Sequence, residues 1–216
     1  MSLICWSSGE WRPENSVQYN DLVQTVFFPV YPVIAHQILK RADIDCGHCL
    51  DIGCGPGNLS LSLATFSDLR VFAMENSRNM YRIAKENIQK YRLDARVRPV
   101  FGHPEMIPFD DDCMDLVVSG GSFFFWKNLS AGFAECRRVL RPGGLAYIGG
   151  GFGTAELRDT IASRMRTIDP SWDAKCDDAY RRCHPMEVRV ALAGAGISGY
   201  DLILDDSGYW IVFTRE

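Results

Sequence analysis

An α/β fold, a doubly wound and mostly parallel sheet with helices on both faces, is the architecture this sequence predicts. Three observations carry it. Short apolar runs alternate with longer stretches of helical periodicity from His48 to Gly149, a glycine-rich turn follows the first such run, and two strand-like segments flank Asp205-Asp206-Ser207 near the end. Strands alternating with helices imply right-handed crossovers and a parallel sheet covered on both faces, and the closing hairpin adds an antiparallel pair.

Residues 1 to 16, with Trp6, Trp11 and Pro13, are polar and read as irregular. Val17 to Ala42 reads as helical with a break at Phe28-Pro29-Val30-Tyr31-Pro32, because proline is disfavoured inside a helix. Five strands are predicted at His48–Gly53, Arg70–Glu75, Arg96–Gly102, Asp115–Ser119 and Leu145–Gly149. Helices are predicted over Ser77–Arg92, where Ser77 caps and Met80, Ala84, Ile88 and Tyr91 share a face, and over Leu129–Leu140, with Phe133, Cys136, Val139 and Leu140 inward. Pro142-Gly143-Gly144 stops the second. Leu59, Leu61 and Leu63 alternate like a strand, but Leu59, Leu63 and Phe66 also fit a helical face. The preceding glycine turn decides for a helix over Asn58–Phe66. Thr154–Ile168 and Pro185–Ala195 read as helices, and Gly199–Leu204 with Gly208–Thr214 as the hairpin, which makes seven strands in all. The organisation expected is one domain over 45–216 preceded by a helical segment over 1–44.

The chain has 216 residues, with 47% hydrophobic and 23% charged, ordinary values for a globular protein with its own core. Lys and Arg number 23 against 27 Asp and Glu, a net charge of -4, and no basic run stands out, so a sequence-independent grip on nucleic acid is not expected. No apolar run approaches the roughly 18 residues of a membrane span, and the first residues lack a basic-then-apolar export pattern. The eight cysteines are therefore read as reduced thiols of a cytoplasmic protein. Cys46 and Cys49, with Cys176 and Cys183-His184, have metal-ligand spacing, but Cys49 opens a central strand and no metal is expected.

Chemistry concentrates in Cys49-Leu50-Asp51-Ile52-Gly53-Cys54-Gly55-Pro56-Gly57-Asn58. Glycines between a strand and a helix permit a tight turn and let a ligand sit on the backbone. Glu75 ends the next strand, 24 residues after Asp51, where a carboxylate accepts both hydroxyls of an adenosine ribose. A dinucleotide loop would carry its third glycine where Asn58 stands, so this loop departs from that fingerprint, and no Gly-Lys-Ser/Thr follows, which excludes a P-loop. Asp51 is a poor neighbour for a pyrophosphate and a good one for an ammonium or sulfonium. An adenosine with a cationic tail, S-adenosylmethionine, is the ligand that suits this loop. The residues alone leave open that the glycines only shape a turn and that Glu75 is solvated.

These features resemble a class I S-adenosylmethionine-dependent methyltransferase, in the branch similar to the ubiquinone and menaquinone biosynthesis methyltransferases. Asp51-Ile52-Gly53-Cys54-Gly55-Pro56-Gly57 is similar to that family's first motif, and Glu75 to the acid after its second strand. Gly102-His103-Pro104-Glu105-Met106-Ile107-Pro108-Phe109 resembles its Gly-Asp-Ala-Glu-x-Leu-Pro-Phe, Phe109 through Val118 its next strand pattern, and Arg138-Val139-Leu140-Arg141-Pro142-Gly143-Gly144 its turn before a strand. The matches span about residues 19 to 150. The resemblance implies a Rossmann-like fold whose last strand is antiparallel, and S-adenosyl-L-homocysteine as the product. It also implies cofactor contacts from Tyr31, Asp51, Gly53, Cys54, Gly55, Gly57, Asn58, Glu75, Asn76, Met80, Gly102, His103, Pro104 and Ser119. Two departures stand out. His103 replaces the Asp that receives the adenine amino group, and Ser119-Gly120-Gly121-Ser122 replaces the Asn/Asp-Pro-Pro-Tyr/Phe of amino-group methylators.

Methyl transfer from a sulfonium needs alignment above all, and a base only where the acceptor must lose a proton. His36, His48, His103 and His184 are the only histidines, and none is a convincing base, so no catalytic residue is assigned. Ser122, Phe125 and Trp126, after the fourth strand, are the candidates for an acceptor pocket, with a core role for Phe123-Phe124-Phe125 equally open. Tyr31 resembles a lid residue over the cofactor, against plain packing. The arginines at 158, 164, 166, 181, 182 and 189 could hold an anionic acceptor or simply face solvent. The reading is a methyltransferase acting on a small molecule, as a monomer or homodimer. Its alternatives are an idle cofactor-binding module and a nicotinamide-dinucleotide oxidoreductase.

Overall fold

The computed structural model describes residues 13–216, so Trp6 and Trp11 lie outside the described residues. Its seven strands are β1 (Cys46–Ile52), β2 (Asp68–Glu75), β3 (Val97–Phe101), β4 (Met114–Gly120), β5 (Leu140–Gly150), β6 (Asp201–Asp205) and β7 (Gly208–Thr214). They form one sheet in the order β3-β2-β1-β4-β5-β7-β6. β1, β2, β3, β4 and β5 are parallel, and β7 runs antiparallel between β5 and β6. This is the predicted doubly wound sheet with its closing hairpin. β5 starts earlier than expected, at Leu140, because the Pro142-Gly143-Gly144 turn is carried within the strand, with Gly143 at φ +80°.

The N-terminal segment is helical from Pro13 rather than from Val17, which corrects the irregular reading of residues 13 to 16. α1 (Pro13–Leu22) passes through a π-helical turn (Val23–Phe27) into α2 (Val30–Ala42). The two arms meet at 75°, with Pro29 as the N-cap of α2. Proline is at home in a first helical turn, where its missing N–H costs nothing. Val23, Val26, Ile34, Ala35 and Ile38 of this bent pair are buried in the core. Among the described residues no single helix is long and apolar enough to cross a membrane.

α3 (Asn58–Phe66) follows the glycine turn, and α4 (Arg78–Lys90) is capped by Ser77, whose Oγ accepts from the Met80 N–H at 3.3 Å. Met80, Ala84 and Ile88 are buried as expected, but Tyr91 and Phe66 are each about two-fifths exposed, because each lies at a helix end where its face turns away from the sheet. α5 (Leu129–Val139), α6 (Ala155–Ile168), α7 (Trp172–Arg182) and α8 (Pro185–Gly194) complete the set. α7 was not predicted. Only Trp172 is buried along it, so it carries no apolar stripe to read.

Two apolar layers sandwich the sheet. On one face α1 to α4, α6 and Trp172 pack on Cys49, Val71, Val97, Leu116 and Val212. On the other, Phe133 and Cys136 of α5 and Val188 and Leu192 of α8 pack on Leu50, Val117, Ala146, Ile148 and Ile211.

The β5–β7 joint tolerates no side chain at Gly149, where an added Cβ would fall 2.0 Å from the Tyr209 carbonyl oxygen. Gly149→Ala is expected to lower the melting temperature by about 3–10 °C, since overpacking costs about 1–3 kcal/mol. Gly199→Ala, whose Cβ would meet nothing nearer than Glu216 Oε1 at 4.0 Å, should leave it within about 2 °C. Thermal unfolding by circular dichroism checks both.

Candidate functional site

β1 delivers Asp51 and Ile52 to a turn in which Gly53, Gly55 and Gly57 all have positive φ (+67°, +55° and +91°), and Gly57 caps α3. Such angles are open to glycine and strained for most other residues. The Gly53 and Cys54 N–H groups both donate to the Met74 carbonyl, at 2.8 and 3.0 Å, which fastens the turn to the end of β2. Gly53 is also close-packed, since a Cβ there would lie 2.3 Å from that of Ser122. Gly55 is different: its open side meets nothing nearer than the Tyr19 ring at 3.8 Å.

Two buried carboxylates frame this turn. Glu75 accepts from the N–H groups of Asn76 and Ser77, each at 2.9 Å, through Oε1, and from Gly55 N–H at 3.0 Å through Oε2. Burial pushes its pKa up, opposed by those N–H groups and by nearby His103. Of its roughly four acceptor positions, three are taken. Asp51 Oδ2 accepts from Ser60 Oγ at 2.6 Å, while its Oδ1 is buried without a hydrogen-bond partner. Burial raises the Asp51 carboxyl to about 7.

A buried acceptor with no protein donor and a glycine backbone with an open side fit a ligand that is cationic at one end and carries ribose hydroxyls. S-adenosylmethionine has both.

The remaining cofactor candidates are distributed around this frame. Asn76 is exposed, and Met80, Cys54, Asn58, Pro104 and Ser119 are buried. The Gly102 N–H donates to the Glu75 carbonyl at 3.2 Å, and its lack of a side chain is required by Met74 Sδ and Pro108, which a Cβ would meet at 2.7 and 2.8 Å. His103 is exposed, with its ring 6.1 Å from that of Phe101.

The N-terminal helices reach the same turn. Tyr31 is half-buried, and its hydroxyl is held neutral by burial and by the neighbouring Tyr19 and Asp51. Tyr19, which sequence reasoning missed, has its pKa pushed up to about 12 by burial and by Glu75. A chain of amides fixes this segment in place. Asn87 Nδ2 donates to Asn20 Oδ1 and to the Pro56 carbonyl, both at 2.9 Å; Gln24 Nε2 donates to Asn58 Oδ1 at 3.1 Å, and Tyr91 OH to Gln24 Oε1 at 3.3 Å. The polar positions Asn20, Gln24 and Asn87 among helical residues were the available signal.

The acceptor candidates follow β4. Ser122 Oγ bonds Ser119 Oγ and the Ile52 carbonyl, both at 2.7 Å, and accepts from Trp126 Nε1 at 3.3 Å. Ser122 thus links the β4 loop to β1. Trp126 is half-buried against α5, where a Cβ at Gly132 would lie 2.4 Å from its ring. Of the three phenylalanines Phe123 is core, while Phe125 is exposed with the Arg182 guanidinium 5.4 Å over its ring. Arg158, half-buried, and Arg166 and Arg182, exposed, pair with Asp206, Asp173 and Asp178. Cys49 and Cys183 lie in opposite core layers, which separates the two halves of the cysteine pattern.

A methyltransferase-domain family model matches residues 50–148. A solved structure from Methanococcus maripaludis, assigned to the S-adenosyl-L-methionine-dependent methyltransferases, superposes with a TM-score of 0.91 at 38% identity, over 98% of this chain and 97% of that one. The malonyl-[acyl-carrier protein] O-methyltransferase of Geobacter sulfurreducens is 28% identical over 83% of this chain and 68% of its own length. The demethylmenaquinone methyltransferase of Leptospira interrogans is 37% identical over 45% of this chain and 40% of its own length. The other curated relatives are likewise matched over half their length or less.

Asp51 yields a pH-dependent prediction. Its folded pKa of about 7 lies above the ordinary carboxylate value, so the unfolded chain ionises first as pH rises. Stability is therefore lost progressively from about pH 4 to about 7, and the loss is constant above that. Asp51→Asn removes the ionisation and should stabilise the cofactor-free protein at pH 8 by roughly 2–4 kcal/mol, and at pH 4 hardly at all. Thermal unfolding at the two pH values checks it; an equal shift at both would show that Asp51 does not carry this proton.

Proposed function

The chain belongs to the S-adenosylmethionine-dependent methyltransferases, and from that premise we propose that it methylates a small, partly apolar acceptor. The observation that carries the reading is the frame of Asp51 and Glu75 around the open side of Gly55. Bound there, the cofactor supplies a methyl group already activated on a sulfonium sulfur.

The chain's own residues hold and align. Asp51 Oδ1, buried and unpaired, faces the cationic amino-acid end, and Glu75 Oε2 has an acceptor position for a ribose hydroxyl. The backbone of Gly53, Cys54, Gly55, Gly57 and Asn58 lines the cofactor, and Asn76, Met80, Gly102, His103, Pro104 and Ser119 surround the adenine and the reacting end. Residues 13–44 act as a lid: Tyr19 and Tyr31 close over the turn, and the amide chain through Asn20, Gln24 and Asn87 holds it shut and excludes water. Residues 45–216 form the domain that it covers. Ser122 and Trp126 set the β4 loop, and Phe125 offers an apolar surface to the acceptor. The relatives are named for demethylmenaquinone and malonyl-[acyl-carrier protein], acceptors with no common shape, so the acceptor class rests on this loop.

Glu75→Ala should weaken S-adenosylhomocysteine binding about tenfold to somewhat over a hundredfold, the worth of roughly 1.5–3 kcal/mol for a charged acceptor. Calorimetric titration measures it, and unchanged affinity would remove Glu75 from the site. Transfer of label from methyl-tritiated S-adenosylmethionine into a small-molecule fraction then separates an enzyme from an idle binding module, which would bind without transfer. Gln24→Ala, which cuts the lid from Asn58 and Tyr91, should speed S-adenosylhomocysteine release several-fold, by the loss of about 1 kcal/mol of hydrogen bonding. Stopped-flow fluorescence reads that rate; no change would mean that the segment is not a lid.

A further inference from the structure

We propose that the corner of the sheet over β2 and β3, on the face that α5 and α8 share, is a docking surface for an amphipathic helix of a partner protein with acidic flanks. Parallel sheets are normally covered on both faces by their crossover helices. The β3–β4 connection, residues 102–113, contains no helix. Ile107 from that connection joins Met74 in the buried layer on this face, and farther back along β2 the face is left half open. Phe72 is only half-buried there, and His48, Arg70 and Arg98 are exposed.

Two clefts of about 320 and 380 Å³ occupy this corner and share Phe72 and Arg98, so they form one groove alongside β3. Five residues of strand extend about 17 Å, the length of about eleven helical residues or three turns. The floor is aromatic: Phe72 stands edge-on to Phe109 at 4.8 Å and to His48 at 5.8 Å. Arg98 is in register with Phe72 and Arg70 with His48, so both guanidinium groups flank that floor. Among the described residues neither has a carboxylate within 4.0 Å. Asp94 is the one acid lining the groove. In a chain of net charge -4 this is a local reversal of sign, and it calls for an acidic partner.

The same features decide against other occupants. A second copy docked about a two-fold axis would set Arg70 and Arg98 against themselves. An added strand would pair at β3, where Pro99 supplies no N–H. A helix laid on the face takes the place that the crossover leaves vacant. The groove runs along β3 to Phe101, but Arg70 and Arg98 flank the early part of β2, whereas Glu75 and the glycine turn lie at its far end.

The probe is a synthetic helical peptide of about fourteen residues with leucines at i, i+3, i+4 and i+7 and glutamates on both flanks, beside a twin with lysine flanks. Fluorescence anisotropy should show the glutamate peptide binding about tenfold more tightly than the lysine twin, with the same preference when S-adenosylhomocysteine is saturating. In the Arg70→Glu/Arg98→Glu variant the preference should reverse, while circular dichroism and S-adenosylhomocysteine affinity stay unchanged. Equal binding of the two peptides, a preference that survives the double charge reversal, or displacement by S-adenosylhomocysteine would overturn the proposal. So would a wild-type dimer in sedimentation that the variant dissolves, because the occupant would then be a second copy. Arg98→Ala with Arg70→Ala is the fallback should the reversed variant fail to fold; it should abolish the preference.

Discussion

The carboxylate of Glu75 accepts three backbone N–H groups from two separate stretches of chain, and the geometry of the active end depends on that one group. Through Gly55 it holds the glycine turn, and through Asn76 and Ser77 it holds the entry to α4. Its own carbonyl receives Gly102 N–H, so the loop after β3 is tied to the same residue. A charged acceptor shared among backbone donors is stronger than neutral pairs and is positioned by elements that are themselves rigid. The turn therefore keeps its left-handed glycines in place without a ligand, and a ligand arriving there meets a surface already formed.

Asp51 works in the opposite sense. It sits one strand over, paired only to Ser60, and carries a buried oxygen that nothing in the chain satisfies. One carboxylate is satisfied by the frame, and the other keeps a buried oxygen that the chain leaves unpaired. The site is thus a balance of a satisfied and an unsatisfied acid, as functional sites in otherwise consistent folds tend to be.

Much of this was legible in the sequence because it is local. The strand, turn and helix from Cys49 to Phe66 follow from glycine spacing and leucine periodicity, and Ser77 announces the start of α4. The hairpin around Asp205-Asp206-Ser207 is equally local: the Ser207 N–H and Oγ both bond Asp205 Oδ1. What escaped depends on contacts across the chain. The bonds of Ser122 to Ser119 Oγ and to the Ile52 carbonyl show only once β1 is placed beside β4, and Tyr19 gave no signal because its place near Glu75 depends on how α1 is laid. α7 escaped for another reason. It is polar along most of its length and is held by one tryptophan and by its ends, so its pattern resembles a loop.

The sheet order has a consequence for how the molecule assembles. β6 touches the sheet only through β7, and β7 joins it only through β5. β6 therefore cannot join the sheet before β7 does, because β7 is its only neighbour. A tight turn lets the pair zip up within microseconds, long before distant strands meet. The hairpin meets β5 along a seam where a side chain at Gly149 or Gly151 would strike the backbone of residues 207–209. The close fit of that seam favours a single register of the hairpin on β5, so the strands that end the sheet also fix how it ends.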